Sequence, residues 1–581
     1  MPPVSTIPQV YFLPIGMSGA SISQSFKSEL QMKLLVSKKK IKMDIPIPFF
    51  ILFTCLDLSE NRRGVIIQTI GESMRSNILD SMKNIVILNS LAVKLINYMK
   101  VFFLASLVLL SSFISHAQVK KSSTLNSSNQ GFLIKGKING VSNSDIYLAH
   151  YFGSTQQVIK DTALADTQGN FVFKGKENLP QGLYLISFLK NKYLDIIIGN
   201  TQFSFETDTL DPINHMKFQN SVENEAFFAF QKEMGKRYSE LRNIELAKKD
   251  VNQIATLRKE ILQYQQTWFE KNKQLFVSKL VKATFEPEIP PFKKKVSSAK
   301  DSTELYQYQF SYFKKHYFDN LDLNDARFIR TPFLQRKLDK YFEDLVVQQP
   351  DSIIKDADLL LTKIKNSEVR RYVIYKISST YETSNIVGTD AAFAHMGEKY
   401  YVGEPALWDT VTVRQMRDRI NVLKPLLIGK RLPELFLTDA SGKRVTTSSI
   451  PGEYTIVFFY DPECSHCREE TPKLMAQVDY FKSKNISVLA TSIARNKKQW
   501  TDFIKEFKME SVYNGIDIHP NPKTGKDEYY TDFIKKFDIY STPIIYILDK
   551  NKRIIGKKIP TDKIQDFISF YENRQKELGI K

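Results

Sequence analysis

The spacing of apolar residues changes twice along this 581-residue chain, and each change limits what its segment can fold into. From Gly131 to about Asp208 the pattern is short and alternating, in "FLIKGKI", "SDIYLAHY", "NFVFKGK", "GLYLISFL", "LDIIIG" and "FSFETD". Turn signals such as "TQGN" and "LPQG" separate these runs by roughly 8 to 15 residues. A period of two puts alternate side chains on opposite faces of a strand, so residues 131–210 are expected to form an antiparallel β domain, a sandwich or small barrel. From about Val222 to Pro425 the apolar residues recur at three-and-four spacing with Lys and Glu between them, the pattern of helical faces. The stretch from Asn224 to Val281 reads as two long amphipathic helices or an antiparallel helix pair. Further helices follow the Pro-rich break "FEPEIPPFKKK", so 222–425 is expected to be a helical region.

After Pro425 the pattern changes again. "GKRLPELFLTDASGKRVTTSSI" reads as a lead-in hairpin and "YTIVFFY" as a buried strand, after which a helix runs to about Lys482. "ISVLATSI", "KKQWTDFIKEF", "TPIIYILD", "RIIGKKI" and "KIQDFISFYENRQ" follow as strand, helix, two strands and a closing helix. That order fits a central mixed sheet with flanking helices, an α/β domain over 426–581. Every strand of the sheet lies inside those residues, so the segment is expected to fold alone. A multidomain chain is also what its length demands, since one hydrophobic core stops growing at about 250 to 300 residues.

A net charge of +19 raises the question of nucleic acid, but the lysines are scattered among Glu, Asp and aromatics and form no basic stripe. They read as solvated faces, and no nucleic-acid partner is expected. Residues 99–118, "MKVFFLASLVLLSSFISHAQ", have the charged start, apolar stretch and small-residue end of a secretory signal peptide. Such a signal acts at the start of a chain, so Met99 is expected to be the true start. Residues 1–98, with Cys55, then form an upstream extension with no fold, and 99–117 are the signal. Its roughly 15 apolar residues are short for a membrane span of about 20. Export would place the mature protein in the periplasm or cell envelope, where disulfides form, with no stable span after cleavage.

Within this frame the chain sets Cys464 and Cys467 two residues apart in "FFYDPECSHCREETPKL", with His466 between them, at the junction of a strand and a helix. A cysteine in the first turn faces the positive end of the helix dipole and free backbone N–H groups, which favour thiolate. Cys464 is therefore the candidate nucleophile, and Cys467, one turn further in, is placed to resolve a mixed disulfide. A protonated His466 would stabilise the thiolate further. Asp161, Asp166 and Asp195 read as strand-end or turn residues bonding their own backbone, and His316 and His395 as isolated histidines with no second ligand at helical spacing.

The C-x-x-C pair, together with Thr542-Pro543 before "IIYIL", resembles the thioredoxin superfamily, in particular the exported TlpA/ResA-like thiol-disulfide oxidoreductases. The resemblance covers Gly429 to the C-terminus, and the β and helical regions ahead of it look like the multidomain arrangement of Bacteroidetes-type members. It implies a thioredoxin fold, a cis-proline at Pro543 whose neighbouring Thr542 lines the site, no cofactor and no metal. The implied partners are protein thiols and disulfides of the envelope and a membrane redox partner. Two positions depart from the family pattern: Glu463 stands where many members have Trp, and Phe458 where thioredoxins carry a buried acid, which leaves the Cys467 proton acceptor unassigned.

Competing chemistries fit less well. Structural zinc needs four ligands, and the mature chain offers two cysteines, His466 and distant histidines such as His519. A peroxiredoxin looks for Pro and Thr where Val457 and Asp461 stand, and a copper chaperone on this fold would typically space its cysteines one residue further apart. The alternative from another class is an envelope binding or scaffold protein whose thioredoxin-like domain is non-catalytic. The intact cysteine pair with its Thr-Pro partner counts against it.

Overall fold

The alternating segment becomes two four-stranded sheets in the computed structural model, which describes residues 131–189, 192–246, 251–521 and 523–579. The proposed extension 1–98, the signal 99–117 and Cys55 lie outside the described residues. In chain order the strands are β1 (Phe132–Asn139), β2 (Asp145–Phe152), β3 (Gln156–Leu164), β4 (Asn170–Gly175), β5 (Gly182–Phe188), β6 (Lys192–Ile198), β7 (Gln202–Asp208) and β8 (Lys217–Gln219). One sheet has the order β4-β1-β7-β8 and the other β3-β2-β5-β6. All pairs are antiparallel except β1 with β7. That exception follows from connectivity: β7 arrives from the other sheet and enters beside β1 in the same direction.

Asp166 accepts hydrogen bonds from the backbone of Gln168 and Asn170, as a turn Asp does. Asp195 differs from its turn reading. It lies inside β6 at 2% exposure and accepts a 2.9 Å hydrogen bond from the Tyr151 hydroxyl. The apolar run around it gave no sign that one inward position is a carboxylate paired across the sheet.

Nine α-helices of the helical region are described: α1 (Val222–Leu246), α2 (Val251–Lys271), α3 (Phe276–Lys282), α4 (Ala299–His316), α5 (Pro332–Lys340), α6 (Pro350–Thr362), α7 (Ser367–Glu382), α8 (Asp390–Met396) and α9 (Thr410–Leu423). Their starts are set by local chemistry. Ser298 and Asp301 form a reciprocal capping box at α4, and Thr331 with Pro332 opens α5. His316 and His395 bond to Asp319 and Asp358. The β domain and most of these helices share one hydrophobic core, and at its exposed margin Phe152 meets the buried Tyr372 edge-on at 5.4 Å.

The last segment forms β9 (Phe436–Thr438), β10 (Arg444–Thr446), β11 (Tyr454–Tyr460), α10 (Ser465–Met475), α11 (Val478–Ser483), β12 (Ile486–Ser492), α12 (Lys497–Glu506) and β13 (Tyr513–Ile516). After these come the two-residue strands β14 (His519–Pro520) and β15 (Asp527–Glu528), then α13 (Phe533–Phe537), β16 (Ile544–Asp549), β17 (Ile554–Lys557) and α14 (Ile564–Glu577). The seven-stranded sheet runs β10-β9-β13-β12-β11-β16-β17. The single helix expected up to Lys482 is two helices, α10 and α11. Pro472 lies within α10 and removes one bond of its ladder, whereas the break falls at Ala476 and Gln477, whose N–H groups donate to the Pro472 and Leu474 carbonyls.

The sheet lies wholly within 436–557, but its surroundings do not. Val387 and Val422 of the helical region pack against the cores on its two sides. Lys557, 7% exposed, pairs with Asp390 at the start of α8 and donates a 2.9 Å hydrogen bond to the Leu426 carbonyl.

Candidate active site

β11 is a central strand, paired with β12 parallel and β16 antiparallel, and both of its faces are buried because a core lies on each side of the sheet. Ile456, Phe458 and Tyr460 point into one core, and Val457 and Phe459 into the other. The chain leaves this strand through a tight turn in which the Cys464 N–H donates to the Asp461 carbonyl at 3.1 Å and the Glu463 N–H to the Asp461 carboxylate at 3.0 Å. Cys464 then takes the extended conformation of a helix N-cap and α10 begins at Ser465.

The two cysteines, unbridged here, have unlike environments. Cys464 is half-buried, whereas Cys467 is fully buried against Phe458 and Tyr460, with the Asp461 N–H 3.5 Å from its sulfur. The Thr542–Pro543 peptide bond is cis and lies just before β16, whose Ile544 pairs with Phe459. That register carries residue 542 to the mouth of the strand–helix turn. There the Cys464 thiol donates a 3.2 Å hydrogen bond to the Thr542 carbonyl. The structure thus brings Cys464, Cys467, Thr542 and Pro543 together.

Burial works against the Cys464 thiolate, but the Thr542 side chain, the backbone N–H groups of Cys467 and His466 and the Cys467 thiol outweigh it. Its pKa therefore lies below the ordinary thiol value. For Cys467 burial dominates, and the thiol is pushed up to about 12. A charge on the second sulfur would sit among aromatic rings, while a charge on the first meets oriented dipoles.

The His466 side chain is 77% exposed and its Nδ1 lies 3.7 Å from the Glu469 carboxylate, so this residue touches the sulfur's electrostatics through its backbone N–H. Glu463 points away to Gln499, which donates a 2.7 Å hydrogen bond to it. Among the described residues no three His, Cys, Asp or Glu side chains converge as a metal site. Sequence reasoning did not single out Arg419, Asp538 or Tyr540, which adjoin the Thr542 segment; an Asp closing the short helix "FIKKF" four residues before Thr-Pro was the available signal.

The AhpC/TSA family model matches residues 428–555, a span that holds both cysteines and Pro543. Two models described as domains of unknown function, DUF4369 and DUF5106, match 132–227 and 262–423. Among curated proteins the chain is similar to the thiol-disulfide oxidoreductase ResA of Bacillus subtilis, 26% identical over 16% of this chain and 59% of that protein. It is also similar to ResA of Bacillus cereus, 21% identical over 23% of this chain and 69% of that one. The chain thus spans about three fifths to two thirds of the relatives' length. Among solved structures, a domain of a possible thiol-disulfide isomerase from Cytophaga hutchinsonii is 39% identical over 26% of this chain and 98% of its own, with a TM-score of 0.24. A thioredoxin-like protein from Bacteroides caccae is 18% identical over 49% of this chain and 98% of its own, with a TM-score of 0.38. Over its C-terminal domain, the chain is thus similar to the ResA-like thiol-disulfide oxidoreductases.

Proposed function

We propose that the protein is an exported thiol-disulfide oxidoreductase that exchanges disulfides with protein substrates in the cell envelope. The observation that carries this reading is the asymmetry of the two thiols beside the Thr542–Pro543 edge: one favoured as thiolate and accessible, the other buried and held as thiol. In the reducing direction the Cys464 thiolate attacks a substrate disulfide. One substrate sulfur leaves as a thiol, and the other is bound to Cys464 as a mixed disulfide. Cys467 then gives up its proton and attacks the Cys464 sulfur, releasing the second substrate thiol and closing the 464–467 disulfide. The substrate gains two electrons and the protein loses two; a membrane dithiol partner restores the pair. Reversal of the same steps oxidises a substrate.

The Thr542–Pro543 segment offers backbone edge groups on which an extended substrate chain docks beside Cys464. The sequence of residues 99–117 supports export. Expression of residues 118–581 and assay with insulin tests the reading. Reduction of the insulin disulfides by wild type and its loss in Cys464→Ser are expected, and an inactive wild type would overturn it. Redox titration of the pair gives the direction: a potential near about −270 mV marks a reductant, one near about −120 mV an oxidant.

A further inference from the structure

Four residues, Asp538 to Ser541, separate the end of α13 from Thr542. The first has an unusual setting: Asp538 closes α13 in the left-handed conformation, with φ 59°, and is only 7% exposed. A buried carboxylate requires a partner, and this one is supplied by the helical region. Arg419 of α9 donates through Nη1 to Asp538 Oδ1. Its Nε donates to Glu382 at the end of α7 at 3.2 Å, and its guanidinium lies over the Tyr540 ring, 5.5 Å from the centroid. Ile539, between the two contacts, is buried in the core on the sheet's other side. One side chain therefore holds the first and third residues of the segment that delivers Thr542 to Cys464.

We propose that Arg419 is a positioning residue of the exchange site: by fixing Asp538 and Tyr540 it sets where Thr542 and Pro543 stand against Cys464. The helical region is then a working part of the site. Its meaning for turnover rests on the disulfide-exchange reading, but its geometric claim is read on Cys464 directly.

The test is the pH profile of Cys464 alkylation in residues 118–581 carrying Arg419→Met, Asp538→Asn or both. Asn keeps the shape and tolerates the left-handed conformation, so Asp538→Asn decides the matter even if Arg419→Met fails to fold. Positioning predicts that each variant raises the labelling midpoint by about half a pH unit, seen as about threefold slower labelling at pH 6, because thiolate fraction sets the rate. The double variant should do no more than either single one, since both break one contact. Through-space charge alone predicts the opposite sign for Asp538→Asn, as removal of a nearby negative charge favours the thiolate. A lowered midpoint in that variant, or no change in any variant, overturns the proposal. Wild type that fails to reduce insulin counts against disulfide exchange alone, because the labelling profile reports on the sulfur whether or not the protein turns over.

Discussion

The Cys464 sulfur lies 3.2 Å from the carbonyl oxygen of Thr542, a residue 78 positions further along the chain. This contact joins the strand–helix turn to the mouth of the antiparallel strand beside it, and it fixes which thiol faces an incoming chain. Alkylation at mildly acidic pH should therefore label Cys464 and leave Cys467 unmodified, since the second thiol is both buried and raised to about 12. Cys464→Ser should abolish exchange, whereas Cys467→Ser should accumulate mixed disulfides that can be isolated and their partners identified. Equal labelling of the two cysteines, or trapping by Cys464→Ser instead, would reverse the assignment.

His466→Ala should move the Cys464 labelling midpoint by less than about 0.3 pH units. With the side chain 77% exposed, solvent screens any imidazolium charge, and the backbone N–H that favours the thiolate survives the substitution. A rise approaching one unit would show that the ring acts on the sulfur after all.

Lys557 and Asp390 tie the sheet to the helical region at a buried contact, with side-chain exposures of 7% and 19%. Asp390→Ala should strand the ammonium and lower the stability of the C-terminal domain in urea by about 3 kcal/mol, while Asp390→Leu with Lys557→Met should recover most of the loss. The segment 426–581 on its own should likewise unfold at lower urea than it does within residues 118–581, because Val387 and Val422 are absent from its cores. Equal midpoints for fragment and full chain would show that the sheet needs nothing from the helices.

Asp195 should make the β domain pH-sensitive. Burial raises its pKa to about 7, against the opposing effects of the Tyr151 hydroxyl and Arg336. The folded state then binds the proton more tightly than the unfolded one, so this residue's contribution is complete below about pH 4 and is lost as pH rises through about 7. Asp195→Asn should flatten that dependence, with little effect at pH 4 and a gain on the order of 3 kcal/mol at pH 8, measured by thermal unfolding across pH. A variant with the wild-type pH slope would place the titration elsewhere.

The parts of the site that were legible in the sequence are those whose signal is local. A C-x-x-C after a buried strand and a Thr-Pro before another can be read from a few residues each, and both sit where the strand order puts them. β13 escaped notice because "YNGI" is four residues long and contains Asn-Gly, the usual mark of a turn. Its Gly515 is suited to the place: a Cβ there would come within 2.7 Å of the Leu437 side chain, so the glycine lets β9 pack close. Arg419 was beyond reach for a different reason. Its partner Asp538 lies 119 residues away, and a lone Arg on an amphipathic helix looks like any other solvated cation until the fold brings the carboxylate to it.

The hairpin of β9 and β10 joins the sheet through one residue pair, Ile516 with Thr438, whereas β11 is laced to both neighbours along nearly its whole length. In time, this means the domain should come apart from one side. Backbone amides of β9 and β10 should exchange with solvent during openings that leave β11, the turn at Asp461 and the start of α10 untouched. The cysteine pair thus follows directly on the most fully paired strand of the sheet, and opening of the outer edge should leave the two sulfurs in their relation to Thr542.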